Sequence, residues 1–297
     1  MKNNQSKIKA LDIILGLVIL SALFYIFYRI KTGLNYKWNW GVIPQYIIRY
    51  DPDKQKWVSN LILQGFLTTI RLSIWSTFLA MIFGTIMGFF RTSPSFFKRL
   101  IGAAYVEIIR NLPPLVLVFI FYFFVSDQIM PVIGIDNYVR NLPENIQAVI
   151  SFLFASPRFF PAFVSAVITL AVFEGAYITE IVRAGIESVE KGQWEASSAL
   201  GMSKFQQMQH IILPQAFRMV LPALAGQFIS TIKDSSIVSI ISIQELTFQG
   251  MELMASTYLT FEIWIVISIL YLVLTLSCSL IIEQLEIYLH KIRTSKN

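Results

Sequence analysis

Six runs of mainly apolar residues divide this chain, at positions 11–28, 61–90, 103–125, 159–186, 217–243 and 261–285. A helix needs about 20 such residues to cross the hydrocarbon layer, where lipid offers no partner for a backbone N–H or C=O. The runs therefore predict an all-α polytopic membrane helix bundle with six transmembrane helices. Only 14% of the residues are charged, against roughly a quarter in soluble domains. The single cysteine, Cys278, excludes an internal disulfide framework and any cysteine-rich metal site. His210 and His290 lie too far apart in sequence to promise a histidine metal cluster. The net charge of +6 reads as a mark of membrane orientation, not of nucleic acid, because basic loops gather on the cytoplasmic side.

The first run follows Lys2, Lys7 and Lys9, as a signal peptide would, but "FYRIKTG" behind it offers no small-residue cleavage site. It is read as a retained anchor. With both termini cytoplasmic, 13 of the 24 basic residues fall inside, 8 fall outside, and Arg71, Arg110 and Lys233 lie within spans. The bias favours this topology, although the external loop from Arg29 to Lys56 runs against it. Trp38, Trp40 and Trp57 in that loop suit an interfacial belt. In the second external loop, Ile146, Val149, Ile150 and Leu153 keep helical spacing and predict a short helix on the outer surface.

Helices in lipid associate through close backbone approach at small residues. Ala80, Gly84 and Gly88 form such a stripe on the second span, Ala171, Gly175 and Thr179 on the fourth, and Gly226, Ser230 and Asp234 on the fifth. Pro113-Pro114 and Pro222 remove backbone donors and predict bends. Ionisable groups inside a span are costly and seek a partner or a wet cavity. Glu174, Glu180, Lys233, Asp234 and Ser235 are accordingly candidates for lining a translocation path. An interhelical hydrogen-bond lock or a helix break is the alternative for Lys233 and Asp234. The i,i+3 pairs Glu180–Arg183 and Glu107–Arg110 also permit plain local neutralisation.

Between the fourth and fifth spans lies a polar interruption, "EASSALGMSKFQQMQHIILPQA". Glu195, Ala196, Ala199 and Leu200 are helix formers, and Gly201 behind them permits a left-handed close. Ser203 with Gln206 three residues on forms a capping-box pattern for a second short helix, which Leu213-Pro214 is expected to stop. The segment thus reads as two short helices with a tight bend, either a docking surface for another protein or a surface helix packed on its own bundle. The absence of any G-x-x-x-x-G-K-[ST] loop leaves the chain without the phosphate cradle of an ATPase.

Glu195-Ala196-Ser197, with Gly201, Ile211, Leu213 and Pro214 at their spacings, resembles the EAA loop of ABC-importer permeases, with Ser197 where the motif has its second alanine. The resemblance extends roughly from Gly65 to Leu289, through "RNLPPLVLVFIFYF", "EGAYITEIVRAGIESVEKGQWEA" and "LPALAGQFISTIKDSSIVSIIS", and is to the polar amino-acid branch. It implies an N-terminal anchor ahead of a five-helix permease core, with residues 1–60 preceding a permease domain at 61–290 and a tail at 291–297. It implies a bacterial inner-membrane location. The 193–215 loop would be a cytoplasmic coupling helix docked on an ABC ATPase dimer, which would carry the ATP and magnesium; no cofactor is expected on this chain. A second permease subunit (a copy or a related chain), an extracytoplasmic solute-binding protein, a polar amino-acid substrate and membrane lipid complete the implied partners. Glu195 would meet a basic residue of the ATPase or serve as a first-turn helix charge. A permease for another small polar solute, an ion-coupled secondary transporter and a non-transporting scaffold are the rival readings.

Overall fold

The computed structural model of the protein describes residues 10–33, 36–53 and 55–294. The terminal lysines used for orientation (Lys2, Lys7, Lys9 and Lys296) lie outside the described residues. The chain divides into two compact units, Met1–Trp40 and Gly41–Asn297. In the first, helix α1 (Ala10–Gly33) contains one continuous apolar stretch, Ile13–Arg29. Trp38 and Trp40 stack behind it with ring centroids 5.8 Å apart.

The second unit opens with a short helix α2 (Ile43–Ile47) and a hairpin of β1 (Ile48–Asp51) and β2 (Lys56–Ser59), paired antiparallel from Ile48↔Ser59 to Asp51↔Lys56. Ile48, Tyr50, Trp57 and Val58 are the branched and aromatic residues that favour a pleated surface. Five helical runs then have the length and apolarity to cross a membrane: Leu61–Arg91, Pro114–Ile133, Phe160–Glu187, Lys204–Ile241 and Thr260–Gln284.

The second and fourth spans are single helices, α3 (Leu61–Arg91) and α9 (Phe160–Glu187), close to their expected bounds. They pack most intimately where their small-residue stripes meet. A Cβ placed on Gly84 would stand 2.8 Å from the Gly175 carbonyl oxygen, a gap that only glycine permits. The stripe expected on the fifth span behaves differently, since a Cβ on Gly226 would meet nothing within 4 Å.

The third span departs from the expected 103–125. Helix α4 (Phe96–Asn111) ends early, Leu112 and Pro113 are extended, and α5 (Pro114–Phe123) starts afresh. Each of those two extended residues precedes a proline, whose ring excludes the helical region for its predecessor. The double proline breaks the helix; it does not bend it. The span continues through a π-turn at Phe124–Ile129 into α6 (Met130–Ile133). Gly134 turns the chain with φ 71° into α7 (Ile135–Arg140) and then α8 (Glu144–Leu153), the short helix anticipated from its spacing, which buries none of its residues.

Helix α10 (Lys191–Ala199) follows, then α11 (Lys204–Gln206), a π-turn at Gln207–Ile212, α12 (Leu213–Asp234) and a 3₁₀ turn at Ser235–Ile241. Contrary to the expectation from sequence, Leu213-Pro214 does not stop the second short helix. The N–H of Leu213 reaches back five residues to Met208, and this widened turn admits the proline without a break. The fifth span therefore begins at the bend itself. Helices α13 (Leu246–Thr257) and α14 (Thr260–Thr294) complete the unit.

Candidate functional site

The bend between α10 and α11 is built from backbone bonds. Gly201 sits at φ 74°, its N–H donates to Ser198 O and the Met202 N–H donates to Ser197 O, which together satisfy the last carbonyls of α10. Ser203 Oγ accepts the Gln206 N–H while Gln206 Oε1 accepts the Ser203 N–H, the reciprocal cap predicted from sequence. Gln207 ties the two arms together by donating to Ser198 Oγ and to Met202 O.

One side of this elbow is anchored. Ile212 and Ala216 are buried with Val182, Ile186 and Val189, and Trp194, Ile211 and Leu213 pack against that cluster. Ser197 is buried too, its hydroxyl donating to Trp194 O. The other side is bare: Glu195, Ala196, Ala199 and Pro214 are exposed, Leu200 is 80% exposed and Phe205 75%. The motif thus splits into an inward set that fixes the elbow and an outward set that nothing in the described chain covers.

The polar residues expected along a path separate into distinct places. Glu174 is fully buried and its Oε2 accepts a hydrogen bond from Gln227 on α12, with the Asp234 carboxyl beside it. Glu180 belongs to an ion-pair chain that joins α3 to α9, with Arg91 Nη2 at 3.0 Å and Arg183 Nη2 at 2.8 Å, and Arg183 also pairs with Glu187. Lys233 is exposed, and Ser235 is buried with its hydroxyl donating to Ile232 O. Glu174 and Asp234 come together; Glu180, Lys233 and Ser235 do not join them. The expected Glu107–Arg110 pair does not form: Glu107 accepts from Asn111, and Arg110 lies over the Tyr177 ring, 5.5 Å from its centroid.

At the opposite end of α9 from the elbow, roughly 40 Å away along a helix of that length, lies a cavity of about 300 Å³. Gln64, Leu67, Thr68 and Arg71 line it from one face of α3, Phe159 and Phe163 from the start of α9, Gln244 from the segment leading into α13 and Gln249 from the first turn of α13. Sequence reasoning noted Arg71 only as a basic residue inside a span. The signal available was its helical spacing from Gln64 and Thr68, at i−7 and i−3. Behind the cavity Glu245 caps α13, accepting the Thr247 and Phe248 N–H groups, a hydrogen bond from Thr69 and one from Tyr271. Burial pushes its carboxyl up to about 7 against the opposing pull of those bonds.

A family described as "Binding-protein-dependent transport system inner membrane component" matches residues 80–287. Glutamine transport system permease protein GlnP of Escherichia coli (strain K12) is 32% identical over 226 residues, spanning 76% of this chain and 91% of that one. Probable glutamine ABC transporter permease protein GlnM of Bacillus subtilis (strain 168) is 33% identical over 78% of this chain and 94% of that one. Among solved structures, "Crystal structure of an amino acid ABC transporter with histidines" aligns with TM-score 0.59 at 31% identity, over 76% of this chain and 92% of that one. An inward-facing MetNI methionine ABC transporter shares the fold with TM-score 0.54 at 17% identity, over 75% and 95% of the respective chains.

Proposed function

Because the chain belongs to the family of binding-protein-dependent transport system inner membrane components, and is a multi-pass permease of an ABC importer, we propose that it moves a polar amino acid across a bacterial inner membrane by alternating access. Both termini and the elbow face the cytoplasm in this reading. ATP and its magnesium ion bind a separate ABC ATPase dimer, and this chain hydrolyses nothing. A second permease subunit and an extracytoplasmic binding protein complete the transporter, with residues 61–290 as the permease domain.

The observation that carries the mechanism is the two-sided elbow. An ATPase stroke moves the spans only through a link that is stiff on one side and free on the other. Leu200 and Phe205 offer the apolar contact for a partner groove, with Glu195 beside them for a basic residue. Gly201 sets the angle. The π-turn runs without a break into α12, so the push enters the fifth span directly. The amino-acid substrate is supported by the relatives, whose names specify glutamine and whose aligned structure is that of an amino-acid transporter with histidines.

The test is uptake into proteoliposomes holding the permease, its ATPase and its binding protein. Vanadate-sensitive, ATP-dependent uptake is the expected result. Flux without ATP favours an ion-coupled transporter, and no flux with any partner favours a scaffold.

A further inference from the structure

The fifth span changes its winding at Asp234. Helix α12 runs to that residue, and the next seven, Ser235–Ile241, form a 3₁₀ helix. Such turns have poorer hydrogen-bond geometry, and runs beyond three or four residues are uncommon. Packing holds this one in place. Ser235, Val238 and Ile241 are buried at a spacing of three, the period of a 3₁₀ helix and not of an α-helix. Val238 and Ile241 share a core cluster with Leu72 of α3, Val118 of α5 and Leu170 of α9. The backbone opposes that packing. The segment closes on Ser242 at φ 62° and ψ 24°, the left-handed region in which serine is strained and glycine is not. A core grip thus holds a backbone that would otherwise relax into an α-helix.

We propose that Ser235–Ile241 is a length-changing joint in the fifth span, which rewinds between 3₁₀ and α forms as the ATPase stroke passes along it. The rise per residue falls from about 2.0 Å to about 1.5 Å, so seven residues shorten by about 3.5 Å. In the α form Ser242 continues the helix and leaves the left-handed region. Rewinding also turns Ile241 away from the cluster, because a 3₁₀ helix completes a turn in 3.0 residues and an α-helix in 3.6. Close-packed side chains then make the two forms discrete, not graded. Each end of the joint is placed for such a movement. On one side α12 is continuous with the elbow and buries none of its residues between Val220 and Thr231. On the other, Ser242, Ile243 and Gln244 line the cavity and Glu245 caps α13, so a shorter joint draws on the cavity wall. The assignment rests on the reading of the chain as the permease of an ATP-driven importer.

The test measures distances between paired spin labels in the complete transporter in nanodiscs, on a Cys278→Ser background, without nucleotide and after trapping with ATP and vanadate. One pair, at the exposed Ala223 and Ile240, crosses most of the joint; the other, at the exposed Phe217 and Lys233, lies within α12. Single-label controls remove distances between subunits. The expected result is a difference of about 3 Å between the two states for the first pair and none for the second. Ser242→Gly raises the long fraction in both states and Ser242→Val raises the short fraction. Either bias slows ATP-driven uptake at least threefold. An unchanged first pair with uptake intact, or equal changes in both pairs, overturns the joint and leaves the importer standing. Absence of ATP-driven uptake with any partner overturns the importer reading and the joint with it. Should the Ser242 variants fail to assemble, the two label pairs in the protein with Ser242 intact decide alone.

Discussion

Helices α9 and α12 are both apolar spans, yet the fold treats them differently. In α9, 72% of the most apolar window is buried, against 17% for the run that contains α12. Helix α9 is buried along its length and is met by α3 at close glycine contacts, Gly84 against Gly175 and Ile178 and Gly88 against Val182. Helix α12 buries Ala216 and Val220 near one end and Thr231 and Ile232 near the other, with no buried residue between. A helix gripped throughout is a fixed post. A helix held near its ends, and continuous with the elbow, is suited to carry a push. In the proposed mechanism the same apolar composition would serve two mechanical roles, decided by where small residues find a partner helix.

The largest effect should come from breaking the post. Gly84→Val drives a side chain into the Gly175 carbonyl, and such overpacking against backbone costs about 3 kcal/mol or more. Thermal unfolding of the purified protein should show a much lowered midpoint or no folded yield. Gly226→Ala, facing open space, should shift stability by less than about 0.5 kcal/mol. Equal losses at the two glycines break the comparison.

Next is the elbow. A β-branched residue at Gly201, where φ is 74°, is disfavoured by about 1–2 kcal/mol in that conformation, so Gly201→Val should distort the bend. ATP-driven uptake should fall at least tenfold while the unfolding midpoint of the extracted protein stays near that of wild type. Unchanged uptake counts against the coupling role.

A smaller effect is expected at the outward face. Leu200→Ala removes an exposed anchor, and truncating a contact of that kind costs about 1–2 kcal/mol, so a titration of ATPase onto the nanodisc permease should show roughly five- to thirtyfold weaker binding. The smallest is Asp234→Ala, which should alter uptake rate by a few-fold with the complex still assembled. A variant that fails to assemble identifies the Glu174–Gln227–Asp234 cluster as a structural lock instead.

Much of this architecture is written in local sequence. The apolar runs place the spans, and the Gly201 and Ser203–Gln206 signals place the elbow, because caps and left-handed turns are decided within a few residues. The end of α4 is written in Pro113-Pro114 too, because a residue that precedes proline avoids the helical region however apolar its neighbours are. The passage of helix through Pro214 is not, since the π-turn that admits it draws on Ile212 being buried against Val182 and Ile186 of α9. Nor was the cavity: Arg71 meets Phe159 and Gln249 only after the chain returns, from almost 90 and almost 180 residues away. Stripes of small residues proved ambiguous for the same reason, closing on a neighbour at Gly84 and on nothing at Gly226.

The claim that the elbow delivers an ATPase stroke is tested most directly by a photo-crosslinking residue placed at Leu200 in the assembled transporter, with the same residue at the inward-facing Ile211 as its counterpart. The account predicts an adduct between Leu200 and the ATPase whose yield changes with ATP, and an adduct from Ile211 confined to the permease. Adducts from Leu200 that stay within its own chain, with ATP-driven uptake intact, would contradict it.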